Sequence, residues 1–100
     1  MSRTLLKTLG VALLALMASC PSIGASRALD EAEQALIEAA PAALPTAPNK
    51  ARYDYFQAQA FVAEARVRSG HGDWKQAEQW AVRARKAAEA AQRRLLGDAP

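Results

Sequence analysis

From Ala28 onward, apolar residues recur at spacings of three and four, and that period is helical. Ala28, Leu29, Ala32, Ala35, Leu36, Ala39 and Ala40 form one stripe, which predicts a first helix over residues 28–40 with Ser26 as its N-cap. Asp30, Glu31 and Glu33 crowd its first turns, where negative charge suits the exposed backbone N–H groups. Pro41 ends it, because proline lacks an N–H and disfavours helical geometry in the residue before it. Residues 41–49 contain three of the five prolines and read as a linker, extended in places and stiffer than a Gly/Ser one. A helix this short is marginal alone in water. It must dock or fray.

A second helical run covers residues 50–69. Tyr53, Phe56, Ala60, Ala63 and Val67 fall on one stripe, with Phe61 and Val62 off its centre. The apolar surface is wide enough to meet two neighbours. The third run, residues 74–96, sets Trp74, Ala77, Ala81, Ala84, Ala88, Ala91 and Leu95 on one face. Between these runs lies the short turn 70–73. Gly70 suits the left-handed position that closes a helix. Asp73 suits the N-cap of the next helix, and Gln76 three residues on completes a capping box. Gly72 lies between them, and a turn this short makes the two helices antiparallel. The expected fold is therefore all-α: an antiparallel helical hairpin with a shorter N-terminal helix, as a loose three-helix bundle if that helix packs on the hairpin. Residues 97–100 form a tail.

Twenty-five of the 100 residues are alanine. Alanine favours helix and lets helices approach closely, but it buries little area, so the aromatic residues and leucines must supply most of the hydrophobic stabilisation. One cysteine and one histidine exclude a disulfide framework, a zinc cluster and a Cys-pair redox site. His71 sits in a Gly-flanked turn with only Asp73 near it in sequence, so it reads as an exposed turn residue. No usable Ser/His/Asp set is present. Gly70-His71-Gly72 lacks the strand and the lysine of a phosphate loop. These absences point to a non-enzymatic protein with no cofactor, no metal and no small-molecule substrate.

The first nineteen residues have a different character. Arg3 and Lys7 precede an uncharged apolar run from Leu9 to Ala18, too short to span a bilayer, which takes about 20 residues. Basic then apolar is the order of an export signal. Met17-Ala18-Ser19-Cys20 then places two small residues before the only cysteine. This segment resembles a bacterial lipobox, with Met17 where leucine is usual. The resemblance implies cleavage before Cys20, lipid attachment to its sulfur and acylation of its new amino group. Several acyl chains on one residue hold far better than one. Pro21, where proteins retained at the inner membrane typically carry Asp, leans the expected location to the periplasmic face of the outer membrane. Residues 20–27 then read as the lipidated cysteine and a tether. Losing Arg3 and Lys7 brings the chain near neutrality, with eleven Lys/Arg against ten Asp/Glu, so net charge offers no argument for nucleic acid.

Charge is unevenly divided. From Trp74 to Leu96 there are six basic residues against Glu78 and Glu89, while Arg27 to Glu64 carries six acidic ones. Arg83, Arg85, Lys86, Arg93 and Arg94 make a strip that would meet anionic lipid or a cell-wall polymer, or be a solvated helix face. Trp74 and Trp80 point roughly 120° apart on a helix. Trp80 therefore faces the first helix or stands partly exposed as a binding anchor.

The lipobox, the Ala28–Ala40 helix, the Ala51–Tyr53 opening, the Gly72-Asp73-Trp74-Lys75-Gln76-Ala77 turn and the Ala81/Ala84/Ala88/Ala91 ladder together resemble the small Ala-rich bacterial lipoproteins of the uncharacterised DUF4398 type. That resemblance implies a location and a shape, with no reaction attached. The same turn is similar to the middle of one tetratricopeptide unit, although solenoids need about three. The expected role, weighed from the exposed helix faces and the anchor, is a structural or adaptor module of the cell envelope with a protein partner or a second copy. The alternative is a binding module that uses the basic third helix.

Overall fold

The computed structural model describes residues 20–97, which form α1 (Pro21–Glu38), α2 (Asn49–Gly70) and α3 (Trp74–Leu95), with a 3₁₀ turn at Ala40–Ala43. The export signal read over residues 1–19 lies outside the described residues, as do the last three residues of the tail.

α1 begins earlier than its apolar stripe suggests. Residues 21–27 are helical and form no tether. Pro21 is the first helical residue, where its fixed φ suits the helix and its missing N–H breaks no intrahelical bond. Cys20 caps it with an extended backbone, and its carbonyl accepts from the N–H groups of Ile23 (3.1 Å) and Gly24 (3.4 Å). Ser26, expected as the cap, lies inside the helix. α1 stops at Glu38, and the chain tightens ahead of Pro41 into the 3₁₀ turn.

The Pro-rich connection is folded back on itself. Ala42 N–H donates to Ala39 O (2.9 Å), Leu44 to Pro41 O (3.2 Å) and Ala47 to Leu44 O (3.0 Å). Ala42 is fully buried in the core. The expected linker is thus a compact corner, held by small side chains that let it reach the helices.

At the other turn the left-handed residue is Gly72 (φ +75°), while Gly70 is still helical. Gly72 N–H donates to Ser69 O and Asp73 N–H to Arg68 O, each at 3.0 Å, the two bonds of a Schellman closure. Asp73 Oδ1 accepts from Gln76 N–H at 3.2 Å, capping α3. The reciprocal arm of a capping box has no donor left, since Asp73 N–H already serves α2.

The helices run up, down, up. Gly24 faces Glu78, and Glu31 is bonded to Arg85, at the same spacing along the two helices. α1 and α3 are therefore parallel, and α2 is antiparallel to both. α3 packs closely on α2 and also on α1, while α1 touches α2 less. This is an all-α loose three-helix bundle built on a helical hairpin.

The core is almost entirely alanine. Ala32, Ala39, Ala42, Ala51, Ala58, Ala65, Ala81, Ala84, Ala88 and Ala91 are fully buried, and Val62 and Tyr55 are the only larger side chains buried with them among the described residues. Short side chains on all three helices permit a close helix approach. The larger groups line the rim: Phe61 and Trp80 meet at 5.5 Å, and Leu29, Leu36 and Leu95 are half-buried. On α1 and α3 the buried faces follow the expected stripes except at Ala40, which is exposed in the 3₁₀ turn.

On α2 the expected face is reversed. Ala51, Tyr55, Ala58, Val62 and Ala65 face the core. Tyr53, Phe56, Ala60, Ala63 and Val67 face out, with Tyr53 66% exposed, Phe56 48% and Val67 51%. The two seams both alternate threes and fours, in opposite phase, and are centred about 160° apart around the helix. The alanine-rich seam is the one that fits against two alanine-lined neighbours.

Candidate interaction surfaces

Cys20 sits at one end of the bundle, where the start of α1 lies level with the start of α3 and the α2–α3 turn. Its Sγ lies 3.0 Å from Ser22 Oγ. The Ser22 hydroxyl, then the backbone N–H groups of Ser22 and Ile23, hold the thiol below its usual pKa against a smaller effect of burial. Backbone N–H groups at a helix N-terminus favour an anion. Cys20 is a free, half-buried thiol at this end of the bundle.

The basic strip on α3 does not form one surface. Arg85 reaches α1, donating to Glu31 at 2.6 Å, and lies 3.5 Å from Glu89. Arg94 turns the other way, to Asp54 of α2 at 2.6 Å, in the most buried of the ion pairs. The Arg83 guanidinium stacks 4.8 Å over the Trp80 ring. Lys86 and Arg93 remain exposed. The charge division between acidic and basic helices thus partly serves to tie them together. Lys75, Glu78, Gln79, Val82, Arg83 and Lys86 line a shallow groove along the outer side of α3.

Trp80 is half-buried, packed on Phe61 and roofed by Arg83. It closes the rim of the core cluster containing Ala32, Val62, Ala65, Ala81 and Ala84. His71 is exposed in the turn, as its glycine neighbours suggested. Gly70 ends α2, Gly72 makes the turn, and Asp73 with Gln76 opens α3.

Two features escaped the sequence reading. Arg66 of α2 binds Glu33 of α1 at 2.5 Å, a pair that requires knowing the antiparallel register. The outward seam of α2 is visible in the sequence, but its larger side chains argue for the core rather than the surface. Its signal is the second seam, Ala51-Tyr55-Ala58-Val62-Ala65, which also alternates threes and fours.

Among the described residues, no three His, Cys, Asp or Glu side chains cluster as metal ligands. No described helix is long and apolar enough to cross a membrane. No protein-family model, curated protein or solved structure matches the chain.

Proposed function

We propose that the chain is an exported lipoprotein, fixed through Cys20 to the periplasmic face of the outer membrane, and that it acts there as a non-enzymatic structural or adaptor module. The observation that carries this reading is the position of Cys20. The lipobox-like Met17-Ala18-Ser19 lies immediately before it, and the first helix begins immediately after it, at Pro21. Cleavage before Cys20 leaves α1, α2, α3 and their packed faces whole. The lowered thiol pKa suits a nucleophilic sulfur.

The alternative, a module that grips anionic lipid or cell-wall polymer through the basic helix, is less well supported. Arg85 and Arg94 are already held by carboxylates of the same chain. The test is metabolic labelling with palmitate, followed by membrane fractionation of the full chain and of Cys20→Ser. The expected result is label and outer-membrane recovery for the unaltered chain and no label for the variant. Recovery of an unlabelled chain in the soluble periplasmic fraction would overturn the reading.

A further inference from the structure

The outward seam of α2 has the pattern of an interface. Tyr53, Phe56, Ala60, Ala63 and Val67 are spaced three, four, three, four, as in the a and d positions of a coiled coil. All five are exposed. The seam tapers, with its aromatic rings at the N-terminal end, alanines in the middle, and Val67 and Gly70 at the far end. A second α2 laid antiparallel places the wide end of each copy against the narrow end of the other. Phe56 then faces the partner's Val67, Ala60 faces the partner's Ala63, and Tyr53 faces the partner's Gly70, where there is no side chain to obstruct the ring. A parallel pair would set Tyr53 on its own counterpart and Phe56 on its own, wedging the alanine layers apart.

The flanking residues of α2 are compatible with the same register. In it Gln59 lies beside the partner's Arg66, and Gln57 beside the partner's Glu64. Sliding the antiparallel pair by one heptad sets Arg52 against the partner's Arg66, which repels. From the exposures of Tyr53, Phe56 and Val67, the seam offers about 400 Å² of apolar surface per copy, since a large aromatic carries roughly 150–250 Å². With its polar flanks, a two-fold pair reaches the lower end of the range for specific interfaces, about 1,200 Å² in total.

The geometry points to a second copy of this chain as the occupant of the seam, in an antiparallel α2–α2 dimer with a two-fold axis near Ala60 and Ala63. The inference stands on the seam and goes beyond the anchoring proposal without depending on it. It is tested in cells by disulfide trapping of the full chain. Two differently tagged copies are produced together, one carrying Tyr53→Cys and the other Gly70→Cys. A side chain at Gly70 meets nothing within 4 Å, and the residue is helical, so the substitution fits.

On mild oxidation the mixed dimer is expected, while Tyr53→Cys alone gives no dimer beyond that of the unaltered chain, whose only thiol is Cys20. Gln79→Cys, on the outer side of α3, reports random collision. Adding Ala60→Glu to both copies should cut the mixed dimer about tenfold, and far-ultraviolet circular dichroism of the variant should keep its helix content. A self-dimer of Tyr53→Cys would overturn the antiparallel arrangement. A mixed dimer no stronger than the Gln79→Cys control, or one untouched by Ala60→Glu, would overturn the dimer. Trapping of a different protein from the seam, with no dimer, would replace the second copy with that partner.

Discussion

Ala58 and Ala60 lie two residues apart on one helix, and enlarging each to leucine should have different consequences. Ala58 is fully buried between α1, α3 and the 3₁₀ corner, in the cluster with Ala39, Ala42, Tyr55 and Ala88. Three added carbons there must displace neighbouring backbone, because alanine neighbours have no rotamers with which to yield. Overpacking of this kind costs typically 1–3 kcal/mol. For a domain of this size, each kcal/mol shifts the melting temperature by about 4–8 °C, so Ala58→Leu should lower it by at least 4 °C. Ala60 is exposed, leucine is nearly as good a helix former as alanine, and Ala60→Leu should stay within about 0.5 kcal/mol. Thermal melts followed by circular dichroism at low protein concentration, where self-association is minimal, read both. If Ala60→Leu destabilises as much as Ala58→Leu, the assignment of faces on α2 is refuted.

The turn makes a similar paired prediction. Gly72→Ala should destabilise by about 1–2 kcal/mol because its φ is positive, while Gly70→Ala should stabilise by up to about 1 kcal/mol as an ordinary helical replacement. Chemical denaturation distinguishes them. Asp73→Ala should cost about 1 kcal/mol through loss of the cap on Gln76 N–H. In double-mutant cycles, the half-buried Arg94–Asp54 pair should show stronger coupling than the exposed Arg66–Glu33 pair, whose coupling should fall between about 0 and 1 kcal/mol and shrink in salt. In chain made without its export segment, alkylation of Cys20 should rise with pH at a midpoint below that of an ordinary thiol, because the thiolate is the reactive form. Ser22→Ala should move that midpoint upward, since the hydroxyl is the largest cause of the shift. An unchanged midpoint would remove Ser22 from that role.

What was legible depended on how many solutions the pattern allowed. α1 and α3 each carry one dominant apolar stripe, and the predicted alanines of α3 are its buried ones. α2 carries two seams that both alternate threes and fours, and hydrophobicity favours the wrong one, because Tyr53, Phe56 and Val67 are larger than Ala51, Ala58 and Ala65. The deciding term is steric: two alanine-lined helices at close approach accept alanine and exclude rings. A similar ambiguity moved the helix closure from Gly70 to Gly72, since either glycine can adopt a positive φ and only the bond from Asp73 to Arg68 fixes the count. At the start of α1, Pro21 reads equally as a breaker or as a first helical residue. Of the candidate sites, Cys20 is picked out by its neighbours in sequence, but its place level with the start of α3 is not, because that depends on how α1 packs. The loss of Arg85 and Arg94 to ion pairs is not legible either, because their partners are 54 and 40 residues away.

The start of α1 at Pro21 also links the two proposals. A lipid on Cys20 would be joined to a helix, with no flexible segment to let the bundle drift from the membrane. Cys20 lies at the end of the bundle that holds Val67, Gly70 and the turn. In an antiparallel pair, the partner's Cys20 lies at the opposite end, about 30 Å away along a helix of this length. Two anchors at opposite ends cannot both reach one bilayer if the helices stand upright, so the dimer must lie along the surface. A short Gly-Ser spacer between Cys20 and Pro21 relaxes that requirement without touching the seam. The Tyr53–Gly70 disulfide should therefore form with or without the spacer. Fluorescence quenching by lipid-borne quenchers, read from a label at exposed Arg93, should weaken when the spacer is present. Quenching at Arg93 that is absent from the outset would show upright copies, and with them an anchored chain that does not pair through α2.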